Sequence, residues 1–482
     1  MQKKNLRYIV FFNTAAILKS VLGLIRAKLT SLWLGVEGVG ILGQITTAFN
    51  FQANISDFGV FPLLINKLGK YSPDERNSDT QDFVNLSILI IFISNLFLVS
   101  SIIVFREKLS ILIFNSSSYV EIIVLLAILN PIYTLSMFPE NIVKSFRQFK
   151  ILSIGQNITS IVGLLSIPPM LWYYGINGIL YNFVIFLLFN FLFFLPFAIR
   201  AIPLSWFKIR KIKRRIIYET IKFCSVLTVR KALTYFTLII FRSIIVHELG
   251  LKSNGYFQAA WSISNYLNVL FTAFVVYLFP TLSSIRDLKM FNKELNRNLE
   301  YLIYIILPFI LVIVAMPELF LTLLFNPTYV SVKNSLNILT VLKLWEAFYI
   351  FFSVVFVSQN RLRALIVCEI IKSGLLVIIS ALVVSPLNLS GAVLSIAISD
   401  VVSVMAVLYF SSKDPMLKLN ETNKKNLLKF SFIFVIAMFP YSGKLWPRII
   451  QEIVVLFLAL YVIDLKKYVM ILREFIPAKS HN

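Results

Sequence analysis

Positively charged side chains lie within apolar segments of this chain that are long enough to cross a lipid bilayer. The first segment, residues 8–34, contains Lys19, Arg26 and Lys28, and a membrane span needs roughly 20 mostly apolar residues. A cation at the bilayer centre costs about 2.5–3.5 kcal/mol, so each one implies a partner or a polar pathway. At about 100° per residue, Lys19 and Arg26 share one helix face, whereas Lys28 lies opposite and can reach the outer interface. We expect the Lys19–Arg26 face to line a polar cavity; the alternative is that local partners neutralise both charges.

A second predicted span, residues 216–246, carries a similar cationic stripe. Lys231, Tyr235, Leu238 and Arg242 follow one another at steps of 4, 3 and 4, which places Lys231 and Arg242 on one helix face, and Arg230 adjoins Lys231. Basic side chains in a cavity form charge-assisted hydrogen bonds with acidic groups such as phosphates. Two such helices therefore predict a binding site for an anionic head group.

Polar residues recur in the second and eighth predicted spans. Asn50, Asn54 and Asp57 follow one another at helical spacing in the second span, and Asp57 is a candidate for coupling transport to an ion. The eighth span carries a set of polar and aromatic residues on or beside one face: Gln258, Trp261, Asn265, Asn268 and Thr272. Amides beside an aromatic ring suit a sugar ligand. Hydrogen bonding between neighbouring helices is the open alternative.

Carboxylates accompany the cations of the later spans. Lys343 and Glu346, and likewise Glu369 and Lys372, are three residues apart, which places each pair on one helix face. We interpret both pairs as structural. Asp400 has no obvious partner on its own helix, and it is the second candidate for ion coupling.

Composition predicts an all-α polytopic membrane protein. Of the 482 residues, 58% are hydrophobic and 14% are charged, and the mean hydropathy is +0.82, which is far above the usual range for soluble domains. We predict about fourteen transmembrane helices, at residues 8–34, 41–66, 83–105, 120–143, 151–173, 178–199, 216–246, 254–284, 299–326, 334–357, 364–385, 390–411, 427–441 and 449–470.

The net charge of +23 reflects membrane topology rather than nucleic-acid binding. Most Lys and Arg residues fall in loops on one side of the predicted membrane, including the run at residues 208–215. The positive-inside rule assigns that side, and both termini, to the cytoplasm. Basic loops at this position also contact anionic lipids, so membrane lipids are expected partners and nucleic acid is not.

An internal repeat relates the two halves of the chain. The glycine-rich turn that begins at Leu34 recurs at Leu249, an offset of 215 residues, and the same offset places Asn50 on Asn265. The repeat predicts two six-helix lobes related as parallel repeats, an arrangement that supports alternating access to a central site. The predicted parts are an N-terminal lobe (1–200), a basic cytoplasmic linker (201–215), a C-terminal lobe (216–412), and two additional transmembrane helices with a cytoplasmic tail (413–482).

No motif for enzyme chemistry is present in the sequence. There is no Walker A sequence, H-E-x-x-H, G-x-S-x-G or cluster of metal ligands. We therefore expect a protein that is not an enzyme and that uses no cofactor or metal.

Three segments resemble a known family. The turn LGVEGVGILGQ, the segment ISDFGVFPLLINKLGKY at residues 55–71 and the eighth-span run GYFQAAWSISNYLNV are similar to polysaccharide or O-antigen flippases of the Wzx type. These belong to the multidrug/oligosaccharidyl-lipid/polysaccharide exporter (MOP) superfamily, and the likeness covers roughly residues 1–412. In that family a cation late in the first helix and an arginine in the seventh recur. Those positions match Lys28 and Arg242 here, with Arg26 close enough to take the first role.

The resemblance implies a flippase in the bacterial inner membrane. Its expected substrate is undecaprenyl-diphosphate-linked oligosaccharide, such as an O-antigen or related lipopolysaccharide repeat unit, moved from the cytoplasmic to the periplasmic leaflet. A polysaccharide polymerase and a chain-length regulator are further expected partners, and the protein is expected to act as a monomer. The alternatives are a lipid II flippase and a cation-coupled multidrug exporter of the same superfamily, with a membrane glycan polymerase or ligase less favoured.

Overall fold

The structure is a computed structural model. It describes residues 2–69, 78–202, 212–271, 282, 285, 287–359, 361–413, 417–421 and 423–425, and for residues 2–17, 19, 20, 66, 78 and 362 it describes the backbone alone. The predicted spans 427–441 and 449–470 and most of the predicted linker lie outside the described residues.

The described part of the chain is helical and contains no strand, which confirms the predicted all-α class. The helices of the first part are α1 (Gln2–Ser56), α2 (Val60–Leu68), α3 (Ser78–Val104), α4 (Arg106–Phe114), α5 (Val120–Ser145), α6 (Phe149–Leu165), α7 (Ile167–Tyr174) and α8 (Gly178–Ala201). They are followed by α9 (Arg214–Asn265), α10 (Leu288–Ala315), α11 (Pro317–Leu324), α12 (Lys333–Ser358) and α13 (Leu362–Ser412).

Two long helices are broken at the glycines of the predicted repeat. Gly35 interrupts α1 with φ 64° and ψ −170°, and Gly250 interrupts α9 with φ 81° and ψ 168°. Both conformations lie in a region that glycine enters readily and other residues do not. Each long helix therefore supplies two membrane-crossing segments joined by a sharp turn, as the aligned sequences predict.

The repeat extends well beyond this turn. The kink within α13 at Asn388 has φ 53° and ψ −139°, and Gly175, between α7 and α8, has φ 53° and ψ −131°. Ser116 and Asn326 each precede a short 3₁₀ turn, which leads into α5 and α12 respectively. Both residues have an extended backbone, and the side chain of each accepts a hydrogen bond from the backbone N–H two residues later. Breaks and caps of the same kind therefore recur in the two halves of the chain.

The helices of the described residues agree with eleven of the predicted spans and with the described part, residues 254–271, of a twelfth. Eight helical stretches of the described residues are long and apolar enough to cross a membrane. The three stretches of 50 residues or more are divided by breaks at Gly175, Gly250 and Asn388, and Gly35 divides α1. The chain is therefore a multi-pass membrane protein.

Contacts divide the chain into two compact units, Met1–Gly255 and Tyr256–Asn482. The first unit thus includes the basic first segment of α9, and the second begins just after the Gly250 break. The predicted lobe boundaries at residues 200 and 216 remain a prediction.

Candidate functional site

The two glycine-rich turns pack against each other within the first unit. A Cβ placed on Gly40 would lie 2.1 Å from the Leu251 carbonyl oxygen, and one on Gly255 would lie 1.9 Å from the Val36 carbonyl oxygen. Gly40 and Gly255 are 215 residues apart, as are Val36 and Leu251. The contact is therefore reciprocal, with each repeat offering the same glycine to the same carbonyl of the other, as at a two-fold interface.

Arg242 lies beside this junction and is almost fully buried, at 3% exposure. Its Nη1 is 3.5 Å from Asn254 Oδ1, and Asn254 Nδ2 donates to the Gly40 carbonyl at 2.7 Å. Gln44 Nε2 donates to the backbone carbonyls of Arg242 (3.2 Å) and Ile113 (2.9 Å). These bonds connect the cation of α9 to the turn of α1. Helical spacing could not reveal the contacts of Asn254 and Gln44, because both residues bond segments that are distant in the sequence.

The remaining basic candidates of the first unit have varied surroundings. The Arg26 guanidinium lies 4.9 Å from the centre of the Phe183 ring of α8, within cation–π range. Lys28 and Arg230 are half-buried, and for Lys19 the structure describes only the helical backbone. That these side chains bind substrate remains a prediction.

Asp57 is buried and has structural partners. Its carboxylate accepts the backbone N–H groups of Gly59 (3.2 Å) and Phe61 (3.3 Å), which caps the first turn of α2 after two residues of positive φ. Lys231 Nζ lies 3.7 Å from Asp57 Oδ1. One member of the predicted cationic stripe therefore faces a carboxylate, and this carboxylate also orders the chain between α1 and α2.

We expect Asp57→Ala to lower the free energy of unfolding by about 1–3 kcal/mol, because it removes the cap and leaves Lys231 without its carboxylate. Asp57→Asn keeps a side-chain acceptor and should lose less. Thermal unfolding of the purified protein in detergent measures both variants. Equal unfolding temperatures for Asp57→Ala and the unaltered protein would contradict this assignment.

The side-chain amide of Asn54, in the second predicted span, forms a hydrogen bond within the first unit. Asn54 Nδ2 donates to the Asn50 carbonyl at 2.9 Å, and Asp57 Oδ1 of the same stripe lies 3.7 Å from Lys231 Nζ. Asn50 itself is exposed. The structure thus places this stripe beside the basic segment of α9.

In the second unit, the eighth-span candidates gather around Lys343 of α12. Lys343 Nζ donates to Asn265 Oδ1 at 2.6 Å, forms an ion pair with Glu346, and lies 5.0 Å from the centre of the Trp261 ring. Asn268 Nδ2 also donates to Asn265 Oδ1, at 3.2 Å. The predicted Lys343–Glu346 pair is therefore confirmed, and it joins the amides and the indole in one network.

Two further candidates of this span lie outside that network or outside the described residues. Gln258 Nε2 donates to Ser262 Oγ, one turn along its own helix, at 2.9 Å. Thr272 lies outside the described residues.

Asp400, for which the sequence shows no local partner, has a partner from the preceding predicted span. Lys372 Nζ lies 2.8 Å from Asp400 Oδ1, and Glu369 accepts the Tyr349 hydroxyl proton at 2.7 Å. Lys372 also sits 4.6 Å from the centre of the Tyr349 ring. The kink at Asn388 separates α13 into two segments, one with Lys372 and the other with Asp400, so a rule based on one helix face could not find this pair. The closest ion-pair partner of Lys372 is thus Asp400 and not Glu369.

We expect Lys372→Met to destabilise the protein more than the double variant Lys372→Met/Asp400→Asn. The single change leaves a buried carboxylate without its cation, whereas the double change removes both charges. A double-mutant cycle on the unfolding temperature measures the coupling. Strictly additive effects would show that the pair does not interact energetically.

The described residues also form an apolar groove of about 520 Å³ between α3, α5 and α8, bordered by Phe92, Leu135, Pro139 and Leu195. Phe92 and Leu135 are largely exposed, as expected for side chains that face lipid. A smaller cavity of about 320 Å³ lies beside Tyr218 and Lys222. Neither of these two cavities is lined by a predicted site residue.

The fold is similar to that of several solved membrane transporters. The fold is similar to that of the lipid II flippase MurJ in an inward closed conformation, with a TM-score of 0.65 and 15% identity over 94% of this chain and 97% of MurJ. The MATE multidrug transporter DinF-BH gives a TM-score of 0.66 and 12% identity over 86% and 96% of the two chains. A MOP-superfamily transporter from Pyrococcus furiosus gives 0.61 and 12% over 84% and 94%. The chain therefore has the fold of MOP-superfamily transporters and flippases.

The family model for polysaccharide biosynthesis proteins matches residues 33–334. The chain belongs to this family. A comparison with curated proteins finds no significant match. The family is one of polysaccharide biosynthesis proteins and the fold is one shared with MOP-superfamily flippases and transporters, as the resemblance implies.

Proposed function

We propose that the protein flips an undecaprenyl-diphosphate-linked oligosaccharide, such as an O-antigen or related surface-polysaccharide repeat unit, from the cytoplasmic to the periplasmic leaflet of the bacterial inner membrane. The observation that carries the proposal is the concentration of basic side chains on the broken helices α1 and α9 of the first unit, in a member of a polysaccharide biosynthesis family. A lipid diphosphate does not cross hydrocarbon unaided, because an unpaired charge is strongly disfavoured there. Guanidinium and ammonium groups supply the matching charge-assisted hydrogen bonds.

The membrane potential supplies a driving force for this direction of movement. An inside-negative potential favours outward transfer of an anion by about 2.3 kcal/mol per charge per 100 mV. Asp57 and Asp400 remain the candidates for ion coupling. Each already faces a lysine (Lys231 and Lys372), so a coupling ion would have to compete with a resident ammonium group.

Depletion of the protein from its host tests the proposal. We expect lipid-linked oligosaccharide to accumulate on the cytoplasmic leaflet and surface polysaccharide to fall, with peptidoglycan synthesis unaffected. Loss of peptidoglycan synthesis instead would identify a lipid II flippase. Sensitivity to cationic drugs with normal surface glycan would identify a multidrug exporter.

The variants Arg26→Ala and Arg242→Ala are each expected to reduce glycan display while the protein remains inserted. Surface polysaccharide, compared at matched expression by immunoblotting, provides the measurement. Normal surface polysaccharide in both variants would show that these two cations have no role in transport. A polymerase and a chain-length regulator that act on the exported glycan are proposed partners, with the flippase itself a monomer and both termini in the cytoplasm.

A further inference from the structure

The network around Lys343 in the second unit fixes several polar groups in place. The Lys343 side chain is 3% exposed, whereas that of its partner Glu346 is 24% exposed, and Trp261 and Asn265 are half-buried. The ammonium therefore lies below the surface, and the carboxylate, the amide and the indole reach it. Because polar groups that face hydrocarbon are disfavoured, an accessible surface of this kind is expected to face water.

The hydrogen-bond directions determine what this surface offers to a ligand. Asn265 Oδ1 accepts from both Lys343 Nζ and Asn268 Nδ2, which fixes the orientation of the amide and directs its NH₂ donors elsewhere. Glu346 keeps acceptor capacity beyond its pair with Lys343, and the indole N–H of Trp261 is a donor. Phe257 stacks on the Trp261 ring with 5.6 Å between centroids, and Lys343 lies over the same ring, so the indole contributes its edge. Donors and acceptors held side by side along this edge match the hydroxyl groups of a sugar.

The charge of this network distinguishes it from the basic segments of the first unit. Glu346 interacts electrostatically with Lys372 and Asp400, and Lys372 with Glu369. The charged groups here are therefore two lysines and three carboxylates, and Lys343 and Lys372 form ion pairs with Glu346 and Asp400. A diphosphate would meet carboxylate repulsion here, whereas an uncharged sugar would not. The surroundings therefore favour a neutral, hydroxyl-rich ligand.

We propose that Trp261, Asn265 and Glu346 form a glycan subsite in the second unit, and that buried Lys343 is the positioning residue that holds all three. This inference rests on the proposed function, because it assigns the sugar part of the same substrate. It assigns Lys343 and Glu346 to the substrate site, whereas the sequence predicted them only as a structural pair.

Binding of two lipids to the full-length protein in nanodiscs separates the sugar from the head group. One lipid is undecaprenyl diphosphate, and the other carries the host's oligosaccharide repeat on the same diphosphate. We expect Lys343→Met and Glu346→Gln each to reduce the preference for the glycosylated lipid about tenfold, with the affinity for undecaprenyl diphosphate unchanged within about twofold. Lys343→Arg should retain part of the preference, because it keeps the charge.

Lys333→Met is the matched control. It removes a lysine from the same helix and breaks a Lys–Glu pair of 2.8 Å with Glu318, away from the network, so both affinities should stay unchanged. Thermal unfolding identifies any variant that fails to fold, and Glu346→Gln, which preserves shape, decides the question if Lys343→Met does not fold.

An unchanged preference in Glu346→Gln and in folded Lys343→Met, or a parallel loss of affinity for both lipids, would overturn the glycan subsite. Equal affinity of the unaltered protein for the two lipids would also overturn it. If the unaltered protein binds neither lipid, the proposed function itself fails.

Discussion

Alanine at Gly40 or at Gly255 is expected to abolish transport and to lower the unfolding temperature markedly. The new Cβ would lie about 2 Å from a backbone carbonyl oxygen of the opposite turn, Leu251 or Val36. A backbone atom cannot move aside as a flexible side chain can, so the two turns must separate. Overpacking of this kind typically costs about 1–3 kcal/mol, and here it also breaks the bond from Asn254 to the Gly40 carbonyl.

Gly374→Ala is the matched control for these variants. Gly374 lies within helix α13, and a Cβ placed there has no neighbour within 4 Å, so alanine should leave the unfolding temperature unchanged or raise it slightly. Fluorescence-detected gel filtration after a temperature series compares the three proteins. Wild-type stability in both Gly40→Ala and Gly255→Ala would show that the close contact between the turns does not exist.

Replacement of Arg242 by methionine is also expected to reduce transport strongly. Arg242 is buried beside the junction and contacts Asn254, and a buried polar group that loses its partner costs about 1–3 kcal/mol. We expect surface glycan to fall several-fold, with partial recovery in Arg242→Lys, which keeps the charge but not the planar fork. Lys252→Ala, a change at an exposed position of the same helix, serves as the control and should have no effect.

The double variant Arg242→Met/Asn254→Ala separates two roles for this arginine. If Arg242 acts by holding Asn254 against the Gly40 carbonyl, the two changes will not add, because they remove the same interaction. If Arg242 contacts the substrate instead, the loss of transport in the double variant will exceed that in either single variant. Normal glycan display in Arg242→Met would contradict both roles.

Much of the fold is readable from the sequence because it depends on local patterns. The apolar lengths define the spans, and the shared glycines at residues 35 and 250 predict two breaks, both of which the structure contains. Lys343 and Glu346 pair as their spacing indicates. In each case the relevant residues lie on one helix or in one turn, where spacing determines geometry.

Contacts between helices were not predictable in the same way. Spacing on one helix face suggested that Lys372 pairs with Glu369, whereas packing of the two segments of α13 brings it to Asp400. The Asn254–Gly40 bond joins residues more than 200 positions apart, and the Lys343–Asn265 bond links α12 to α9. Each of these contacts depends on which helices are neighbours and on how they are aligned along their lengths. Helical periodicity carries no information on the neighbours of a helix or on that alignment.

Transport by the purified protein shows directly whether the basic side chains of the first unit recognise an acidic lipid head group. The measurement is leaflet exchange in proteoliposomes of fluorescent lipid-linked oligosaccharide and of a cationic dye, with Arg26→Ala and Arg242→Ala beside the unaltered protein. We expect the diphosphate lipid to move, the dye to stay in its leaflet, and both variants to slow the lipid. Movement of the dye alone, or lipid transport that neither substitution alters, would show that these side chains do not recognise the head group.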